Sequence, residues 1–336
     1  MNLGSFVEAT FFIYLEAITH LEKILKIENV DIQSLLGFND ANLKPIEERF
    51  NTIVTVRGEN VYLKGQKEEV SVIEKVFKEM IYVLNTTDKL DPSDVTTIID
   101  LTESGQEIID DEEYDNIILY SKKDVIKAKT PTQVKYFESV KKNDICFAIG
   151  PAGTGKTYLA VAFAVSALKK GLVQRIILAR PAVEAGESLG FLPGDFRDKI
   201  DPYLRPLYDA LQDMLPSEKM RNYLENAIVE IVPLAFMRGR TLNNAYVILD
   251  EAQNSTAMQM KMFLTRLGPN SKAIVTGDIT QIDLPSKNQS GLIQVKGILN
   301  NVDGVDFIYF NRDDVVRHKL VKDIIDAYER YGNSSS

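Results

Sequence analysis

The sequence predicts an α/β protein whose larger part is a doubly wound, mostly parallel sheet, preceded by a smaller α+β domain. Three observations carry that expectation. Strand-like apolar runs at 144–149, 175–179, 228–232, 246–249, 273–276 and 307–309 are mostly separated by helix-like runs, the order that builds a parallel sheet covered on both faces. The first of these runs leads straight into a glycine-rich loop and then a helix. Upstream, residues 52–84 read as strand, turn, strand and amphipathic helix.

A chain of 336 residues suggests about two domains. With 45% hydrophobic and 26% charged residues it has the composition of a soluble globular protein. No run approaches the ~20 apolar residues that cross a bilayer. The nearest, 9–17, is short and carries Glu16, and no Lys or Arg precedes Lys23 as a signal peptide would require. A cytoplasmic protein with no membrane partner is expected. The single Cys146 excludes an internal disulfide and reads as a small core residue. Two histidines and one cysteine supply no zinc cluster. A net charge of −9 argues against a surface coated for bulk nucleic-acid binding, while leaving room for a local basic groove.

In chain order, residues 1–22 form an apolar lead-in, a helix or a frayed extension. Residues 23–99 are expected to be a small α+β domain. Within it 52–56 alternates as a strand, Arg57-Gly-Glu-Asn60 is a turn, and 61–63 resumes the strand. Val70, Ile73, Phe77, Met80, Ile81 and Leu84 then recur at helical spacing. The text resembles the end of a KH-like RNA-binding domain, yet it lacks the G-x-x-G loop that clamps nucleotides. A docking or oligomerisation role is equally open. Residues 100–128 read as a linker. Eight acidic and no basic residues lie between Asp100 and Asp115, and seven lysines follow between Lys122 and Lys142.

Residues 129–336 carry the chemistry. Gly150-Pro-Ala-Gly-Thr-Gly-Lys-Thr157 satisfies G-x-x-x-x-G-K-[ST] between a strand and a helix, the context a phosphate-binding loop requires. Gly150, Gly153 and Gly155 let the backbone turn N–H groups inward, and the helix N-terminus adds partial positive charge. Pro151, Ala152, Thr154 and Tyr158 complete the expected nucleotide cradle. Lys156 reaches the β/γ-phosphates and Thr157 holds Mg²⁺. Ninety-four positions after Lys156, a buried-strand pattern ends in Asp250-Glu251. Parallel strands present their carboxyl ends to the ligand crevice. There Asp250 would hold the metal shell and Glu251 would orient or deprotonate a water. Bound and hydrolysed nucleoside triphosphate is the reading.

Further candidates surround that centre. Ala273-Ile-Val-Thr-Gly-Asp278 is another strand tip, and Asp278 or Gln281 is a γ-phosphate sensor or an ordinary turn residue. Gln133 offers an amide that reads the adenine edge, and no Asn-Lys-x-Asp guanine motif is present. Arg317, in competition with Arg312, would neutralise transition-state charge, unless it pairs with neighbouring aspartates.

The segment 129–328 resembles the PhoH family of ATPases, whose RecA-like core is similar to the first motor domain of superfamily 1 helicases. The text that carries the likeness includes Thr130-Pro-Thr-Gln133, the glycine-rich loop and the run from Arg180-Pro-Ala-Val to Gly194. It continues through Asp201-Pro-Tyr-Leu-Arg-Pro, Pro233-Leu-Ala-Phe-Met-Arg-Gly-Arg-Thr241, Leu249-Asp-Glu-Ala-Gln-Asn254, Thr276-Gly-Asp278 and Asp314-Val-Val-Arg-His318. The N-terminal part resembles the long, phosphate-starvation-inducible form. The resemblance implies ATP hydrolysis with Mg²⁺, a place in RNA metabolism with RNA unwinding in some members, and partnership with a YbeY-type endoribonuclease or the ribosome. It maps Gln133 to adenine, Lys156 and Thr157 to phosphate and metal, Asp250 and Glu251 to metal and water, and Gln281 to a nucleotide or RNA sensor.

Only 58 residues follow Asp278, too few for the second motor domain of a two-lobed helicase. The completing surface is therefore expected from an identical neighbour, in a hexameric ring with an arginine crossing the interface. Two other functions compete with an RNA-coupled ATPase. One is an ATP-driven protein-assembly switch that never moves along RNA. The other is a P-loop kinase, which would not need the Asp250-Glu251 pair. The stretch 184–215 reads equally as an RNA-contacting insertion or a packed loop.

Overall fold

The computed structural model describes residues 20–27, 30–87, 90–104, 116–121, 125–181, 196–286, 289–316 and 324. The chain divides into two compact units, one of residues 1–115 with 120–125, the other of 116–119 with 126–336. None of the described helices is long and apolar enough to cross a membrane.

In the first unit β1 (His20–Lys26) is followed by α1 (Ile32–Leu36), α2 (Lys44–Arg49), β2 (Ile53–Arg57), β3 (Asn60–Gln66), α3 (Lys67–Thr87) and α4 (Pro92–Glu103). Three antiparallel strands lie in the order β1-β3-β2, with Ile24 opposite Tyr62 and Tyr62 opposite Thr55. The β2–β3 connection turns at Gly58, whose φ of 56° suits a residue without Cβ. Along α3 the buried Val70, Ile73, Phe77, Met80 and Leu84 recur at helical spacing. Asp91 and Asp94 form a capping box at the start of α4, with Pro92 in its first turn. Strand β1 was not among the expected elements, and it begins inside the stretch read as lead-in. Its partner β3 lies some 40 positions away, a pairing that periodicity within β1 does not reveal.

Short strands β4 (Ile117–Tyr120) and β5 (Val125–Lys127) pair with each other. Then come α5 (Pro131–Lys142), β6 (Ile145–Ile149), α6 (Lys156–Lys169), β7 (Arg175–Arg180), α7 (Phe196–Met214), α8 (Ser217–Glu225), β8 (Val229–Pro233), β9 (Ala245–Leu249), α9 (Ala257–Leu264), β10 (Lys272–Gly277), α10 (Gly291–Leu299) and β11 (Val305–Tyr309). The six strands order as β11-β6-β10-β9-β7-β8, and every neighbouring pair is parallel.

Successive residues of each central strand feed opposite faces. Cys146, Ala148, Ile176, Leu178, Ile248 and Ile274 join a core that includes α6 and α7. Phe147, Ile149, Ile177, Val247, Leu249 and Val275 join the core made with α9 and α10. This two-sided burial is why the strands read as unbroken apolar runs. The fold is the expected α/β doubly wound sheet with a smaller α+β unit before it. Because β10 lies between β6 and β9, the Thr276–Asp278 strand tip stands directly between the phosphate loop and Asp250.

Candidate active site

Strand β6 ends at Ile149, and the chain turns through three glycines with positive φ: Gly150 at 154°, Gly153 at 82° and Gly155 at 83°. A Cβ on Gly150 would lie 2.5 Å from the Phe310 carbonyl oxygen, so the loop passes here only as glycine. Gly155 is the N-cap of α6. Inside the loop the Thr154 hydroxyl donates to the Pro151 carbonyl at 3.0 Å. The Lys156 ammonium donates to the same carbonyl at 2.6 Å, which holds the lysine over the loop.

The acid pair meets this loop from across the sheet. Asp250 is 2% exposed and its Oδ1 accepts from the Thr157 hydroxyl at 2.6 Å and the Thr276 hydroxyl at 2.7 Å. Arg180, at the tip of β7, lies 3.7 Å from Asp250 Oδ2 and 3.9 Å from Glu251 Oε1. Glu251 is held at φ 52°, ψ 40°, a left-handed conformation that costs a side-chain-bearing residue roughly 1–2 kcal/mol. Such strain collects where a side chain must be aimed. Burial, and then the neighbouring Asp250 charge, raise the Glu251 carboxyl above the ordinary carboxylate range, against the opposing pull of Gln253, Arg180 and Lys156.

A cavity of about 260 Å³ opens where these groups meet, lined by loop residues, Tyr158, Asp250, Glu251, Gly277, Asp278 and Gln281. Lys156, Thr157, Tyr158, Asp250, Glu251 and Gln281 thus share one wall system. The Gln281 amide donates to Asp278 Oδ2 at 2.9 Å, so the two sensor candidates form one turn. Gln133 stands behind the loop, 4% exposed. Its amide donates to the Thr154 carbonyl at 3.0 Å and accepts from the Lys129 N–H at 2.7 Å. Arg312 is exposed in a short 3-10 turn. Arg317 lies outside the described residues, as do 184–195 of the expected insertion.

Four contributors were not singled out from sequence. Arg180, Thr276, Gln253 and Asp314 all lie inside the family-like motifs, which was the available signal, and the first two stand at strand tips. Gln253 donates to Glu251 Oε2 at 2.6 Å. Asp314, 3% exposed, accepts from the Thr130 hydroxyl at 2.7 Å, and two residues on the Val316 N–H donates to the Gly153 carbonyl at 3.0 Å. The segment after β11 thereby straps the phosphate loop.

Oxygen donors at Thr157 and Asp250, already in contact, suit a hard divalent cation. A cradle of glycine-turned backbone, a lysine, a metal-type oxygen pair and an adjacent carboxylate has the chemistry to bind a nucleoside triphosphate and direct water at it.

The family profile described as PhoH-like protein matches residues 125–329. The chain is 48% identical over 307 residues to the PhoH-like protein of Bacillus subtilis (strain 168), covering 91% of this chain and 96% of that one. It is 47% identical over 205 residues to Protein PhoH of Escherichia coli (strain K12), covering 60% and 58% respectively. Among solved structures the Sulfolobus solfataricus SWI2/SNF2 ATPase core in complex with dsDNA matches with a TM-score of 0.33 and 16% identity, over 59% of this chain and 45% of that one. A likeness that distant adds nothing to what the sheet order itself shows.

Proposed function

The chain belongs to the PhoH family, and on that footing we propose that it hydrolyses ATP with Mg²⁺ and couples the cycle to binding or remodelling RNA. The observation that carries hydrolysis is the placement of Glu251 beside Asp250 on the wall of the phosphate-loop cavity. Lys156 binds the β/γ-phosphate oxygens, and Thr157 with Asp250 would hold Mg²⁺. An ion held there would supply positive charge against the phosphate oxygens. Glu251 orients the attacking water and accepts its proton, and the Asp278–Gln281 turn faces the terminal phosphate. Water attacks the γ-phosphorus, the bridging P–O bond breaks, and ADP leaves with the electron pair. Gln133, with one amide hydrogen and one lone pair beyond its two bonds to the chain, reads the adenine edge.

Coupling to RNA, including strand separation, rests on the resemblance of the core to helicase motors. The same resemblance proposes a YbeY-type nuclease or the ribosome as partner. A hexameric ring in which Arg317 reaches a neighbour's nucleotide is proposed separately, as the source of the second surface that a single motor domain needs. Sedimentation as a fully active monomer would remove the ring.

Steady-state ATP hydrolysis with and without single-stranded RNA, beside Lys156→Ala and Glu251→Gln, tests the proposal. Stimulation by RNA that vanishes in both variants supports it. Turnover indifferent to RNA but lost in both variants leaves an ATP-driven protein-assembly switch. Turnover that depends on a small acceptor points to a kinase.

A further inference from the structure

Gln253 is 1% exposed and its single carboxamide serves three groups. Nε2 donates to Glu251 Oε2 at 2.6 Å and to the Gln281 carbonyl at 3.1 Å, while Oε1 accepts from the Asp278 N–H at 3.0 Å. Two of those groups are backbone atoms of one turn, and the third is the carboxylate that faces water. The turn needs only the first two to be satisfied. The short third bond gives the second hydrogen of this buried amide its acceptor, and that acceptor is the carboxylate on the cavity wall.

Neighbouring residues reinforce the same joint. Asn254 and Asp283 exchange two hydrogen bonds, Nδ2 to Oδ2 and backbone N–H to Oδ1, both at 2.9 Å. Residues 252–254 therefore grip both ends of the 278–283 turn. Gly277 leaves room here, since a Cβ would lie 2.5 Å from Leu292 Cδ2 and 2.9 Å from Gln253 Oε1. The Gln253 carbonyl is pinned in turn by the Ser290 hydroxyl at 2.8 Å, so the side chain pivots from a fixed base.

We propose that Gln253 is a positioning residue that ties Glu251 to the Asp278–Gln281 turn, so that the turn's position against the terminal phosphate sets where the water-directing carboxylate points. This rests on the hydrolytic reading given above. A carboxylate free to rotate would orient water whether or not phosphate was in place. One tied through a shared amide is brought to bear only as the turn moves. Geometry errors at a reacting centre cost rate far more than affinity, so the link should appear in kcat and not in KM.

The test uses the full chain with Gln253→Met, which keeps length and removes the amide, Gln281→Ala, and the double variant. The parent's ATP turnover and its loss in Glu251→Gln are measured first, because their absence would sink the hydrolytic reading itself. Given turnover, Gln253→Met should lower kcat about 10- to 100-fold with KM for ATP and affinity for ADP within about threefold. The double variant should turn over no more slowly than Gln253→Met by more than about threefold, because the link that Gln281 acts through is already cut. Should Gln253→Met fail to fold, Gln253→Glu keeps an acceptor for the Asp278 N–H, cannot donate to Glu251 when ionised, and should give the same kcat-selective loss. Turnover within about threefold of the parent, or effects of the two single variants that multiply in the double, would overturn the proposal.

Discussion

The Thr157 hydroxyl donates to Asp250 Oδ1 at 2.6 Å, joining two motifs 93 positions apart. The Thr276 hydroxyl donates to the same oxygen at 2.7 Å from the strand between them. One carboxylate oxygen thus locks the relative positions of the phosphate loop and the acid strand. Replacing Thr276 by Val keeps shape and removes one of these bonds. A hydrogen bond to a charged group contributes about 1.5–3 kcal/mol. Urea unfolding should show a loss of that order, and hydrolysis should fall alongside it.

Glu251→Gln should abolish turnover and at the same time raise the melting temperature. Burial and Asp250 raise the Glu251 carboxyl above its usual value. A carboxyl so raised contributes fully to stability below its unfolded value of about 4.5 and loses that contribution as pH climbs through the folded one. At neutral pH the ionised side chain therefore burdens the fold, and the neutral amide relieves it. Melting curves without nucleotide should separate parent from variant at pH 7 and converge as pH falls toward 4. A variant that melts lower than the parent at pH 7 contradicts this account.

Gly150→Ala should destroy nucleotide binding. Its Cβ would meet the Phe310 carbonyl at 2.5 Å, backbone that cannot swing aside, and its φ of 154° is unsuited to alanine. At Gly58 the φ is also positive, but nothing lies within 4 Å. Gly58→Ala should cost about 1 kcal/mol of stability and leave binding of a fluorescent ATP analogue untouched. Equal binding by both variants would refute the distinction.

At the opposite end of β10, the Lys272 ammonium donates to the carbonyls of Val140 at 3.0 Å and Asn143 at 2.6 Å, closing the last turn of α5. Burial lowers its pKa, with Asp144 opposing the shift. Lys272→Met should destabilise the fold by about 1.5–3 kcal/mol while KM for ATP stays within about twofold, because the cavity lies at the other end of the strand. Calorimetry and steady-state kinetics read the two effects separately.

Burial pushes the Cys146 thiol up to about 12, despite the Ser139 hydroxyl 3.3 Å away. The native protein should therefore resist thiol reagents at pH 8 and react fully once unfolded. The group's contribution to stability is complete below about pH 9, where an unfolded thiol begins to ionise, and drains away as pH rises toward 12. Rapid labelling of the native chain at pH 8 would show that the strand before the phosphate loop opens readily.

What the sequence determined by itself was everything written in short range. Glycines at 150, 153 and 155 announce a backbone that turns with positive φ, and unbroken apolar runs announce strands buried on both faces. The loop, the acid strand, the α/β class and most strand limits followed from those local constraints. Strand β1 escaped because a seven-residue edge strand is defined by its partner rather than by its own periodicity. Only the tertiary structure decided which side chains meet. The order β6-β10-β9-β7 brings Thr157, Thr276, Asp250 and Arg180 to one edge of the sheet from four separate stretches of chain. Likewise Gln253 reads as a plain residue two positions after the acid pair until the turn at 278–281 folds over it. Backbone conformation is set by neighbours along the chain, whereas a hydrogen bond between side chains is set by neighbours across the sheet.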